Sequence, residues 1–99
     1  FTVVASHSHL SEETEMFIDG LKAKHPDLDF LSSGSSIKLC LVAEGSADVY
    51  PRFAPTMEWD TAAGQAICEI AGKEVIDFTT IRQLMYNKEN LLNNWFIVQ

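Results

Sequence analysis

The stretch from Glu58 to Gly72, Glu-Trp-Asp-Thr-Ala-Ala-Gly-Gln-Ala-Ile-Cys-Glu-Ile-Ala-Gly, constrains the fold more than any other. Ala63, Ala66, Ile67, Ile70 and Ala71 recur at helical spacing. That period marks an amphipathic helix with one apolar stripe turned to a core. Gly72 is placed to end the helix as a left-handed C-terminal cap. Ala62, Ala63, Gly64 and Ala66 carry little bulk, so a sheet or a ligand can come close to the backbone of the first turns. Asp60 falls in or just before the first turn, where free N–H groups and the helix dipole favour a carboxylate. On that chemistry alone Asp60 is an N-terminal cap and Trp59 a core anchor.

The rest of the chain alternates strands and helices around this stretch. Residues 2–6 form a β-branched run that predicts a buried strand, with Ser6-His7-Ser8-His9 at its C-terminal end. Ser11 ahead of Glu12 and Glu13 starts a helix. Phe17, Ile18 and Leu21 supply its buried stripe, Lys22 and Lys24 suit its last turn, and Pro26 closes it. Residues 29–33 predict a second strand, followed by the small polar turn Gly34-Ser35-Ser36. Residues 37–43 are apolar nearly all round, so period alone leaves strand and helix open. The turn before them and Gly45 after them favour a helix of about three turns. A third strand is expected over 47–50, ended by Pro51, a fourth over 74–78 and a last over 95–98. Between the last two, residues 79–94 form an extended loop with Leu84, Met85 and Tyr86 as partial anchors. The alternation predicts one α/β domain over residues 1–99. Its expected form is a layered sandwich with a mixed, mostly parallel sheet flanked by helices.

Composition limits what such a domain can do. A chain of 99 residues supports a single modest core. It shows no apolar run of membrane-spanning length and no charged-then-apolar signal segment. A first residue of Phe predicts a fragment or a processed piece. Cys40 and Cys68 sit in apolar, helix-like contexts and are expected to be buried thiols of a cytosolic protein. The net charge of −7 argues against a nucleic-acid polymer as partner. It also disfavours a small anion unless local cations or metal ions reverse the field.

Three groups of residues carry chemistry. His7 and His9 lie on one face of a strand end, a two-ligand seed for zinc that lacks a third ligand nearby. Gly34, Ser35 and Lys38 combine backbone N–H groups at a helix start with a hydroxyl and an ammonium, a set able to hold a phosphate. Their spacing is not that of a P-loop. The Ser-x-x-Lys spacing of serine acylating enzymes stands here without its companion motifs. Arg52 follows a strand end, where ligands usually bind in α/β sheets. Its planar fork suits a phosphate or the face of a base. The plainer reading pairs it with Asp48 or Glu58 at the surface.

Trp59-Asp60-Thr61-Ala62-Ala63-Gly64 resembles the second signature of the inositol monophosphatase-like family of metal-dependent phosphatases. Residues 42–53 (Val-Ala-Glu-Gly-Ser-Ala-Asp-Val-Tyr-Pro-Arg-Phe) and 86–93 (Tyr-Asn-Lys-Glu-Asn-Leu-Leu-Asn) are similar to its bacterial 3'(2'),5'-bisphosphate nucleotidase branch. The similarity runs through nearly the whole chain. It implies that Asp60 is a metal ligand at the mouth of a helix, that Ser8 and His9 face nucleotide phosphates, and that Arg52 contacts the nucleotide. It also implies a helix over 37–43, and it matches Glu44 to an acidic residue that binds substrate hydroxyls in the inositol branch. The implied substrate-binding set is Ser8, His9, Gly34, Ser35, Lys38, Glu44, Arg52 and Asp60.

The family's first signature, Asp-Pro-Ile/Leu-Asp-Gly-Thr, and its upstream Glu-Glu pair do not occur in this sequence. The resemblance therefore implies the C-terminal domain of a two-domain enzyme, with no catalytic residue of its own. Mg²⁺ would be held mainly by a missing N-terminal domain. The implied reaction is metal-assisted attack of water on 3'-phosphoadenosine 5'-phosphate, giving AMP and phosphate. Implied partners are a small phosphorylated nucleotide and the N-terminal domain. An apolar face left without that domain would favour a homodimer. The implied location is the cytoplasm, or the inner face of the bacterial membrane peripherally. The alternatives are an inositol monophosphatase or fructose-bisphosphatase-type domain, and a non-catalytic α/β binding module.

Overall fold

A computed structural model describes residues 1–6, 11–34, 37–86 and 91–99. The first strand, β1 (Thr2–Ala5), is buried from Val3 onward and runs parallel to β2 (Asp29–Ser32) in the register Thr2↔Asp29 to Ala5↔Ser32. Parallel neighbours need a crossover, and α1 (Glu12–Lys24) supplies it. Ser11 caps α1 as expected, its Oγ accepting the Thr14 N–H at 3.2 Å. Ile18, with Phe17 and Leu21 beside it, packs on Val3 and Val49.

The other half is antiparallel. β3 (Tyr50–Arg52) and β4 (Val75–Asp77) both pair with β5 (Phe96–Val98), in the order β3-β5-β4. A parallel Val3–Val49 bridge and the Val4 N–H donating to the Val49 carbonyl at 3.0 Å tie the two sheets together. The sheet system is thus mixed as expected, but parallel pairing is confined to β1–β2 and this bridge. Among the described residues no crossover helix lies between β4 and β5, and the two are antiparallel neighbours.

Two elements and one thiol differ from the sequence reading. α2 (Ile37–Ala43) has seven residues, about two turns rather than three. It ends where Gly45 takes φ +86°. The third strand covers 50–52 rather than 47–50 and contains Pro51. Proline is tolerated there because β3 is an edge strand, where no partner requires its missing N–H. Cys40 is exposed, whereas Cys68 is buried and its thiol donates to the Leu39 carbonyl at 3.3 Å.

The largest correction concerns α3 (Glu58–Ile70). The helix forms where its period predicts, and Gly72 follows it at φ +83°. Yet the face turned inward carries Glu58, Thr61, Gly64, Gln65 and Cys68. The Ala63, Ala66, Ile67, Ile70 stripe is exposed, Ile70 by 89 %, and Trp59 is 67 % exposed rather than a core anchor. Gly64 explains which side faces in. A Cβ there would fall 2.5 Å from Leu39 Cδ1 and 3.1 Å from Leu39 Cβ. What approaches Gly64 is therefore α2, while Ala62, Ala63 and Ala66 stay exposed. Leu39 is itself buried and has no room to yield. Gly64→Ala should lower the unfolding free energy by about 1–3 kcal/mol, the usual cost of overpacking. The helix-propensity gain of up to ~1 kcal/mol offsets only part of it. A denaturant midpoint equal to or above that of the parent chain would refute the close-packed α2–α3 contact.

Candidate functional site

Lys38, in the first turn of α2, is 3 % exposed. Its Nζ donates to the Ser33 carbonyl at 3.1 Å and lies 5.6 Å from the centroid of the Tyr50 ring. Arg52, at the end of β3, donates from Nη2 to the Pro55 carbonyl at 3.3 Å, and its guanidinium lies near the Tyr50 hydroxyl. Its Nε is buried without a partner. Two residues from different elements, Lys38 and Arg52, thus meet around one buried phenol.

The electrostatics follow from this crowding. Burial pushes the Lys38 pKa below the lysine range, and the nearby Arg52 guanidinium pushes it the same way. Burial pushes Tyr50 up to about 12, against the pull of Arg52. Two cations that disfavour each other would both be relieved by an anion. In a chain of net charge −7, this corner is a local exception.

Tyr50 also makes a stability prediction. Its folded pKa is about 12 against an ordinary 10.0, so the unfolded chain loses this proton first as pH rises. The contribution is fully present below pH ~10 and is lost between about 10 and 12, amounting to about 2–3 kcal/mol. Lys38 has the opposite sign, because its lowered pKa makes the folded state gain stability as pH approaches the ordinary lysine range. Comparing alkaline unfolding of Tyr50→Phe with the parent isolates the tyrosine. Identical alkaline profiles for the two would show that Tyr50 ionises freely in the folded state.

Other predicted residues are placed less tightly. Ser8, His9, His7 and Ser35 lie outside the described residues. Gly34 is exposed and sits beside Ser33, whose carbonyl holds Lys38. Glu44 is exposed on the turn after α2, at the far end of that helix from Lys38, about 9 Å along its axis at 1.5 Å per residue. The fold therefore does not bring Glu44 to the Lys38–Arg52 pair. Asp48, offered as a surface partner for Arg52, accepts the Thr2 N–H on Oδ2 at 2.7 Å.

Asp60 is exposed at the third position of α3, with Met57 as the N-terminal cap residue. Its Oδ2 reaches back to accept the Met57 N–H at 2.9 Å. It thus satisfies a free helix-start donor, but from inside the first turn. An exposed carboxylate with one oxygen so engaged fits a single ligand position of a hard divalent cation. Among the described residues no three His, Cys, Asp or Glu side chains gather to complete a metal site.

A polar network under α3 escaped the sequence reading. The Tyr86 hydroxyl lies 3.0 Å from Thr61 Oγ1 and donates to Gln65 Oε1. Gln65 Nε2 donates to the Leu84 carbonyl at 3.1 Å, and Asn93 Nδ2 to Thr61 Oγ1 at 3.0 Å. Burial raises the Tyr86 pKa, with its Thr61 hydrogen bond opposing. The network fastens Leu84, Tyr86 and Asn93 to the helix. Thr61, Gln65 and Cys68 recur at i, i+4 and i+7, a second stripe that signals a polar inward face. A groove of about 510 Å³ lies farther along, between the end of α3 and β4, lined by Glu69, Lys73, Glu74 and Arg82 among others.

Comparison with known proteins places the chain. The model of the Inositol monophosphatase family matches residues 1–96. A 3'(2'),5'-bisphosphate nucleotidase CysQ of Salmonella typhimurium is 46 % identical over 97 residues, 97 % of this chain and 37 % of the relative. The crystal structure of CysQ from Bacteroides thetaiotaomicron, a bacterial member of the inositol monophosphatase family, superposes with a TM-score of 0.95. It is 65 % identical, over all of this chain and 36 % of that one. Inositol monophosphatase-II of Staphylococcus aureus shares the fold at a TM-score of 0.71 and 17 % identity, covering 98 % of this chain and 34 % of that one. The chain thus spans little more than a third of the length of these relatives.

Proposed function

Because the chain belongs to the inositol monophosphatase family, we propose that it is the C-terminal, substrate-binding part of a magnesium-dependent 3'(2'),5'-bisphosphate nucleotidase. The whole protein would hydrolyse 3'-phosphoadenosine 5'-phosphate to AMP and phosphate. The observation that carries this reading is the meeting of Lys38 and Arg52 around Tyr50 in an otherwise acidic chain. Relatives with a nucleotidase name, matched along nearly the entire chain, support it.

In this reading Arg52 and Lys38 bind and orient the phosphate that is not cleaved, with Gly34, Ser35, Ser8 and His9 as further donors. Asp60 holds one ion at the mouth of α3. Bound magnesium would polarise the phosphate under attack. The other ion ligands, and the water-activating groups, come from an N-terminal domain outside residues 1–99. The outward stripe of α3, with Trp59, Ile67 and Ile70, suits burial against that domain in the complete layered sandwich. A second copy of the chain could cover the same face in its absence. No helix among the described residues is long and apolar enough to cross a membrane, and we place the enzyme in the cytoplasm.

Phosphate release from the bisphosphate nucleotide tests the proposal. The full-length protein with Mg²⁺ should turn it over, and residues 1–99 alone should show no appreciable activity. One carboxylate cannot supply the near-octahedral oxygen shell that Mg²⁺ demands. Turnover by residues 1–99 alone at rates ordinary for enzymes would overturn the division of labour. A full-length protein inert on the nucleotide would overturn the substrate.

A further inference from the structure

Asn93 holds the backbone before Asp60 and the side chain of Thr61 after it. It is 4 % exposed. Its Nδ2 lies 3.1 Å from the Met57 carbonyl, 3.1 Å from Thr56 Oγ1 and 3.0 Å from Thr61 Oγ1. Its backbone N–H donates to the Thr56 carbonyl at 2.9 Å, and the Leu91 carbonyl accepts the Glu58 N–H at 2.9 Å. Met57 and Leu92 form an antiparallel bridge between these bonds. Met57 is thus held at its carbonyl by Asn93 and at its N–H by Asp60. Thr61, the residue after Asp60, is held by Asn93 as well.

The chemistry of these partners sets the amide's orientation. A backbone carbonyl only accepts, so the –NH₂ of Asn93 must face Met57. That choice leaves Asn93 Oδ1 buried with no partner among the described residues, a state folded chains usually avoid. The orientation is kept despite that cost because turning the amide over would set oxygen against oxygen at Met57.

We propose that Asn93 is a positioning residue that fixes the direction of the Asp60 carboxylate by locking the start of α3. The inference rests on the reading of Asp60 as a metal ligand. Without the Asn93 amide, the Met57 carbonyl keeps only the Asp60 N–H at 2.9 Å, and the tie from Asn93 to Thr56 Oγ1 and Thr61 Oγ1 is lost. The first turn of α3 can then shift, and the Asp60 carboxylate with it. Partners of this outer kind typically change metal affinity or activity by 10- to 100-fold.

The test uses the full-length protein and two readouts of Mg²⁺: the rise in thermal midpoint on titration, and the Mg²⁺ dependence of kcat. A cation that binds the folded state raises its stability by mass action, so the thermal titration reports binding without turnover. Asn93→Ala should need at least about tenfold more Mg²⁺ for half its thermal response, and the same shift should appear in kcat. Asn93→Ser, too short to reach Met57, should behave alike and carries the comparison if the alanine variant fails to fold. Asp60→Asn is the benchmark and should weaken the response further. If Asp60→Asn shifts the Mg²⁺ half-point and the Asn93 variants only lower the metal-free midpoint, Asn93 is a structural residue and the inference falls. If Asp60→Asn leaves the Mg²⁺ response unchanged, the reading of Asp60 as a ligand fails first, and the inference with it.

Discussion

Asp60→Asn in the full-length protein should lower kcat/KM for the bisphosphate nucleotide by about a hundredfold or more while barely changing stability. The activity loss follows from removing a charged ligand of a catalytic ion, an effect of several kcal/mol at about 1.4 kcal/mol per tenfold. The stability cost is small for a reason visible in the fold. Asp60 Oδ2 accepts one N–H, from Met57 at 2.9 Å, and an asparagine oxygen can accept the same bond. Only the charge–dipole part is lost, about 0.3–1 kcal/mol at an exposed helix start. Steady-state kinetics beside a thermal melt separate the two effects. Full activity with unchanged magnesium dependence would leave Asp60 as no more than a cap.

The same residue shows how far the sequence can be read. Asp60 near the start of a helix was legible because a carboxylate there meets free N–H groups whatever the tertiary context. Ser11, Gly45 and Gly72 were legible for the same local reason, and each ends or begins its helix as expected. The inward face of α3 was not. An apolar stripe shows that one side will be covered, but it does not name the cover. Here Gly64, the Gln65 bond to the Leu84 carbonyl and the Asn93 bond to Thr61 turn the polar side toward α2, Leu84 and Asn93. The apolar side is left outward, where the proposed N-terminal domain would lie. A chain spanning about 37 % of its relatives need not satisfy its own hydrophobic pattern. Strand direction was only half legible, because parallel pairing is inferred from intervening helices and β4 and β5 have none between them among the described residues. Within the candidate site, Lys38 and Arg52 could be named singly from helix-start and strand-end rules. Their convergence on Tyr50 brings α2 to β3, a long-range contact that no local pattern encodes.

That convergence supplies the sharpest test of substrate choice. Arg52→Ala and Lys38→Met in the full-length protein should each raise KM for a bisphosphorylated nucleotide by about tenfold to a hundredfold. A lost charge-assisted hydrogen bond is worth about 1.5–3 kcal/mol. Arg52 should show the larger effect. Its planar fork can hold two phosphate oxygens at once, whereas Lys38 offers a point charge with one of its three N–H groups already on the Ser33 carbonyl. Methionine is the better replacement for Lys38, because it keeps the buried stem while removing the charge. A monophosphate that lacks the second phosphate should be hydrolysed nearly as well by the variants as by the parent protein. The missing interaction then exists only for the substrate that carries the extra anion, which is how a site built for a charged group discriminates. Equal losses on both substrates would mean that Lys38 and Arg52 hold the β3–α2 corner together rather than read the second phosphate.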